Sequence, residues 1–334
     1  FLRKAVDEYG EPGWSVDDIV VDSYDKLLRR LRALHGLKQT LGKRIVAVGG
    51  ASGWGAGGAS APHIAATLWK LDIVDYPYSE LGKRLDAAMK DADLRNRSSA
   101  RASEYLRIAG TKLETKRGFF ENAFLLDSVL RQVMSEAGTD AITINACMGT
   151  IMPISKTTAC LPLSLMNDDG MLAFCESDFV VIPSGILLHY ISGKPVFLND
   201  PTFPHDGIVT LAHCTAPRRM DGRRPEPARI LTHFESDYGA APKVEMRKGQ
   251  IATTLVPDFA CKDWIGFAST IVANPFLDIC RSQIDVRIHG DSNAVALRMK
   301  GFHWMFGYGD YLDEVGYALQ KMGIGWTNLT KAVS

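Results

Sequence analysis

From residue 43 to residue 200, short apolar runs alternate with amphipathic or glycine-led stretches, and this alternation restricts the fold more than any other feature. KRIVAVGG (43–50), DAITINA (140–146), MLAFCES (171–177) and KPVFLND (194–200) read as buried strands. Near-continuous apolar runs of this length suit strands covered on both faces. RGFFENAFLLDSVLRQVMSEAG (117–138) predicts an amphipathic helix stopped by Gly138, and DFVVIPSGILLHYISG (178–193) a helix broken early by Pro183. Residues 147–168 read as loop plus helix, and the charged stretch 80–112 is helix-prone. Together these predict parallel βαβ units with helices on both faces.

After residue 205 the texture changes. GIVTLAHCTAP, ARILTHFESD, PKVEMRKGQIATTLV and QIDVRIHG are short alternating runs separated by turns, as in an antiparallel sheet or small barrel. GDYLDEVGYALQKMGI closes the chain as a helix. Ahead of the alternation, residues 16–40 predict a helix with Leu27, Leu28, Leu31 and Leu34 as its apolar stripe. The expected fold class is α/β: a parallel α/β sheet domain over 41–204, then a β-rich, barrel-like domain over 205–334, with residues 1–40 preceding both. A chain of 334 residues is too long for one ordinary core, which agrees with that division.

The charge balance narrows the partners. Lys and Arg number 38 and Asp and Glu 38, so the net charge is zero, whereas nucleic acid selects a basic patch or stripe. No run of about 18 apolar residues is present, so no membrane span is expected. The six cysteines form no CxxC pair and mostly sit in apolar runs, which predicts buried, reduced thiols in a cytoplasmic protein. The opening FLRKAVDEYG lacks the order of a signal peptide.

Two strands end in carboxylates 24 residues apart, Glu176 and Asp200, and Asn145 ends a third. Ligands of parallel α/β sheets sit at such carboxyl ends. A buried carboxylate is costly unless paired. Two of them can grip one divalent ion, with a neutral histidine completing a site that keeps positions open for substrate. His213 and His233 lie on β runs, and His303 lies in the aromatic, glycine-rich GFHWMFGYGD, whereas His35 and His63 read as structural or solvent-facing and His189 as a core or interface histidine. These residues alone leave a metal centre and an acid–base site both open. Gly53, Gly55 and Gly58, with Asp72 or Asp75 beyond them, fit a dinucleotide fingerprint, but Pro62 follows closely and a backbone turn is the better reading.

CESDF, PVFLND at its 24-residue spacing, LAHC followed by ILTHFE, and the late GFHWMFGYGD resemble the L-fucose isomerase and L-arabinose isomerase superfamily, from about residue 40 to the end. The resemblance implies an aldose–ketose isomerase acting on an open-chain sugar. It implies Mn2+ or another divalent cation held by Glu176, Asp200 and His303, with Glu176 and Asp200 also moving protons. His213 falls on a further metal or pocket histidine and His233 on a second pocket position. A cytoplasmic homo-oligomer, trimer or hexamer, is implied as well. Residues 1–40 would then be the tail of a truncated N-terminal α/β domain, and GFHWMF replaces the paired histidines of arabinose isomerases. Asn145, Lys156 and Trp304 join His213 and His233 as candidate sugar contacts, Trp304 as an apolar platform. Arg218 and Arg219 form a basic loop that reads as solvated, with an anionic sugar as the ligand such charges would suit. A lyase, epimerase or decarboxylase on the same scaffold, or a non-catalytic sugar-binding protein, is the alternative.

Overall fold

The computed structural model describes residues 15–330; the part of the expected N-terminal tail within 1–14, and the reading of the opening FLRKAVDEYG, lie outside the described residues. Helices and strands first alternate: α1 (Tyr24–Thr40), β1 (Arg44–Val48), α2 (Ala61–Thr67), β2 (Asp72–Tyr76), α3 (Tyr78–Lys90), α4 (Ala92–Leu106), β3 (Thr111–Leu113), α5 (Arg117–Glu136), β4 (Ala141–Ile144), α6 (Cys147–Ser155), α7 (Cys160–Asp168), β5 (Leu172–Cys175) and α8 (Ile182–Ser192). A β-rich part follows: β6 (Phe197–Pro201), β7 (Ile208–His213), β8 (Ala228–Leu231), β9 (Ala241–Val244), β10 (Ile251–Val256), β11 (Asp263–Ala273), β12 (Ser282–Ile288), α9 (Ser292–Arg298), β13 (Trp304–Tyr308), α10 (Leu312–Lys321) and β14 (Gly325–Asn328).

The α/β class holds. A four-stranded parallel sheet has the order β2-β1-β4-β5. The β-rich part closes into a six-stranded antiparallel barrel, β10-β13-β6-β7-β12-β11, with β11 pairing back to β10 and β14 added parallel to β11. A small third sheet, β3-β8-β9, borrows its first strand from the α/β part.

Two local expectations are corrected. KPVFLND does form a strand, but β6 pairs antiparallel with β7 and β13 in the barrel instead of extending the parallel sheet. An apolar run cannot by itself report which sheet covers it. The helix over 16–40 starts at Tyr24 after a short 3-10 turn at Val16–Asp18, and its leucine stripe faces outward. Leu27, Leu28, Leu31 and Leu34 are exposed, while Ala33, Gly36, Leu37 and Thr40 are buried where α1 packs on α8. Small residues on that face let the two helix axes approach closely.

Helix α8 is the centre of the packing. It is apolar on every side, the pattern of a helix with no solvent face, and Pro183 opens it instead of breaking it. Ile186, Leu187 and Leu188 are fully buried in a core shared with Phe174 of β5 and Met305 of β13, so α8 joins sheet to barrel. Each such side chain contributes about 1.5–3 kcal/mol of burial. Gly185 is the point of closest approach: a Cβ there would lie 2.6 Å from both the Phe174 ring and the Met305 methyl. Among the described residues no helix is long and apolar enough to cross a membrane, and all six cysteines are free thiols.

Gly185→Ala should overpack this junction and lower the unfolding free energy by about 1–3 kcal/mol. The measurement is the urea midpoint followed by circular dichroism. An unchanged midpoint would show that the sheet–barrel junction yields more easily than its packing implies.

Candidate metal centre

The end of β5 does not simply stop. Glu176 and Ser177 both take left-handed backbone angles, φ 64° and 48°, uncommon for residues with a side chain. The turn is held by a bridge to the glycine-rich loop after β1: Ser52 N–H donates to Ser177 O, and Phe179 N–H donates to Ser52 O. It leaves Asp178 buried beneath the site and Glu176 reaching into it.

The barrel supplies the other side. Trp304 pairs with Asn199 in antiparallel register, which carries His303 opposite Asp200. His213 ends β7, the neighbour of β6. His303 Nε2 lies 3.3 Å from Glu176 Oε2 and 3.3 Å from Asp200 Oδ1, and His213 Nε2 lies 3.6 Å from Glu176 Oε1. Donor atoms of Asp200, His213 and His303 fall within 4.8 Å of one another. Glu176 Oε2, Asp200 Oδ1 and His303 Nε2 are buried and have no hydrogen-bond partner. Three orphaned donor atoms facing one another suit a shared cation, because burial without a partner is otherwise costly.

The imidazoles are aimed from behind. His303 Nδ1 donates to Asp178 Oδ2 at 2.8 Å, and His213 Nδ1 is bonded to the Thr215 hydroxyl at 2.9 Å. Both arrangements turn Nε2 toward the cluster, and a carboxylate behind a ligating histidine fixes its ring and raises its basicity. Asp178 also accepts from the backbone N–H groups of Trp54 and Val180.

The charges are strongly coupled. Burial works to raise the Glu176 carboxyl, but the facing His213 and His303 imidazoles outweigh it and hold it well below the usual carboxylate range. Asp200 goes the other way: burial pushes it up to about 6 despite the same imidazoles, and the Glu176 charge adds to the rise. His303 is raised to about 10, its burial overcome by the Asp178 and Glu176 carboxylates. His213 is raised too, against burial, by Glu176 and Asp200.

Above the cluster lies a cavity of about 570 Å3. Glu176, Asp200, His213, His233 and Asn145 line it, so five of the expected site residues converge there, and His303 joins them through the ligand cluster. Asn145 N–H donates to Val48 O, and the Tyr78 hydroxyl donates to the Asn145 carbonyl. His233 Nδ1 is held by Ser236.

Two expected contacts fall elsewhere. Trp304 is fully buried in the barrel core, its ring edge-on to Phe267 and its indole N–H donating to Lys300 O. Neighbours along an extended chain point to opposite faces, so His303 in the site puts Trp304 away from it. Lys156 caps the end of α6 and faces a separate cleft with Arg95 and Asn122. Nor does the basic loop reach the cavity. Arg218 is buried, donating to Glu226 O and to the Thr111 hydroxyl, and the Arg219 backbone N–H donates to Asp168.

The aromatic surface of the cavity comes from Trp54 and Phe302, stacked at 4.4 Å between ring centroids and both packed edge-on to His303. Trp54 sits in the loop of the apparent nucleotide fingerprint. That loop is a tight turn: a Cβ on Gly53 would lie 2.1 Å from Gly58 O. Asp72 opens β2, at the strand's amino end, and pairs with Arg44. Asp178 and Trp54 escaped the sequence reading, although Asp178 stands two residues after Glu176. A larger groove of about 800 Å3, between α10 and β14, holds no potential metal-ligand cluster among the described residues.

Neither protein-family models nor curated protein sequences give a match to this chain.

Two outcomes test the centre. Asp178→Asn should keep the fold and lose Mn2+ affinity by about 10–100-fold in calorimetry, because the His303 ring loses its anchor. Mn2+ uptake near neutral pH should release a proton, since His303, raised to about 10, is protonated there and must yield Nε2. Affinity should therefore rise with pH, by about tenfold per unit for each proton released. The sign for stability without added metal is opposite: the contribution of His303 is full below 6.5 and lost as pH rises toward about 10. Titration calorimetry in buffers of different ionisation enthalpy counts the protons.

Proposed function

We propose that the chain is a divalent-metal-dependent aldose–ketose isomerase acting on an open-chain sugar. The observation that carries this reading is the convergence of Glu176, Asp200 and His303 on one another through buried atoms without partners, beneath a cavity of about 570 Å3. That volume lies in the range of small-molecule sites. Two carboxylates and imidazole nitrogen suit Mn2+ or a similar divalent cation, with His213 adjoining. The resemblance of CESDF, PVFLND and GFHWMF to the fucose and arabinose isomerases supports the same reading.

Such an ion, when bound, supplies Lewis-acid stabilisation of the charge that develops on O1 and O2 of the sugar. The remaining work belongs to the chain. Asp200, on the wall of the cavity beside the cation position, carries the proton between C1 and C2. Glu176, held ionised by the imidazoles, serves as ligand and fixes the His213 and His303 rings. Asn145 and His233 offer hydrogen bonds to sugar hydroxyls, and Trp54 with Phe302 offers an apolar face to the sugar's carbon chain. Among the described residues no Lys or Arg lines the cavity, which favours a neutral sugar over a phosphate or sulfonate. The reading includes a homo-oligomer, trimer or hexamer, in which a neighbouring subunit would cover the exposed leucines of α1.

The test is a screen of neutral pentoses, hexoses and deoxysugars with Mn2+, read by NMR in deuterated water. Ketose formation with deuterium entering at C1 of the ketose, and at C2 of recovered aldose, is expected; cleavage products, or exchange with inversion only, would replace isomerase by lyase or epimerase. Glu176→Gln should retain the fold and lose turnover by about a thousandfold or more. Turnover close to that of the unsubstituted chain in added Mn2+ would remove Glu176 from the mechanism.

A further inference from the structure

The same cavity has a second chemical character. Five of the six cysteines line it: Cys147, Cys160, Cys175, Cys214 and Cys280. One of these thiols reaches the ligand cluster. Cys175 Sγ, a Glu176 oxygen and a His213 nitrogen lie within 4.8 Å of one another. This group is separate from the Asp200, His213 and His303 group but shares His213 with it. Glu176 turns its two oxygens to the two sides, Oε1 toward His213 and Oε2 toward His303. Cys147, a second free thiol, lines the same cavity.

We infer that Cys175, Glu176 and His213 form a second cation position, selective for thiophilic divalent ions such as Zn2+ or Cd2+, which cannot be filled together with the catalytic one. This inference rests on the metal centre proposed above and adds how the centre discriminates between ions. Thiolate sulfur favours Zn2+ and Cd2+, whereas carboxylate and imidazole serve Mn2+, the weakest binder of the first-row transition divalents. The exclusion is geometric. His213 Nδ1 is taken by Thr215, so only Nε2 is free, and one imidazole nitrogen binds one ion. An ion drawn to Cys175 takes His213 out of the Asp200, His213 and His303 group, and it turns Glu176 Oε1 to its own side. On binding, the Cys175 S–H bond breaks, a sulfur–metal bond forms and the proton passes to solvent. Thiophilic ions therefore inhibit from within the substrate cavity by occupying a neighbouring position.

The experiment uses the full chain with Cd2+ as probe and Mn2+ as reporter. Cd2+ should produce a thiolate-to-cadmium ultraviolet band saturating at one ion per chain, while bound Mn2+ appears as free Mn2+ in its EPR spectrum. Cys175→Ser should lose the band and at least about tenfold in Cd2+ affinity, yet bind Mn2+ as the parent does; retained Mn2+ binding reports that the variant is folded. Cys175→Ala gives the same result without a hydroxyl that could replace sulfur. A band that survives both variants assigns Cd2+ to the remaining thiols and overturns the proposal, as does the absence of a band or Cd2+ uptake without Mn2+ release. A Cys175-dependent band with Mn2+ release in a chain that turns over no sugar supports the thiophilic position and removes the isomerase reading instead.

Discussion

A buried hydrogen bond, 2.8 Å from His303 Nδ1 to Asp178 Oδ2, ties the barrel to the parallel sheet at the base of the cavity. Nearly everything in the centre depends on it. Asp178 hangs from the left-handed turn that also presents Glu176, and His303 stands at the start of the strand beside Asp200. The bond therefore brings two carboxylates from different sheets to the same imidazole. In a medium of low dielectric two such carboxylates repel, and that repulsion adds to the burial that raises Asp200 to about 6. The His213 and His303 imidazoles offset that repulsion, as a divalent cation would.

Strain and burial are concentrated at the same place. Glu176 and Ser177 adopt backbone angles that cost free energy, and the loop carrying Trp54 holds them through hydrogen bonds at Ser52. Helix α8 follows directly and fills the space between sheet and barrel, with Gly185 setting the distance between them. The strained turn is thus over-determined from both sides, by a loop on one and a close-packed helix on the other. A rigid support of this kind positions ligand atoms better than a free loop would.

Much of this was legible in the residues. The alternation over 43–200 announced the parallel sheet, and the short runs after 205 announced a barrel. Glu176, Asp200, His213 and His303 were each visible as polar groups at the ends of apolar runs. Other positions were hidden for identifiable reasons. KPVFLND has the same apolar character whether it extends a parallel sheet or closes a barrel, so its partner was not written in it. Trp304 was an attractive sugar platform by composition, yet the alternation of side chains past His303 sent it into the barrel core and left Phe302 in the cavity. Lys156 sits at the end of α6, in another cleft. The leucines of α1 looked like a buried stripe, while small residues on the opposite face made the contact with α8.

By itself the sequence determined the kinds of element, the two-part architecture and the chemical types available for a site, because periodicity and composition act locally along the chain. Only the tertiary structure decided that Glu176, Asp200, His213 and His303 meet, that Asp178 stands behind one of them, and that a cysteine wall faces them. Those facts depend on strand pairing between residues more than a hundred positions apart, such as Trp304 with Asn199, and no local pattern carries such a register.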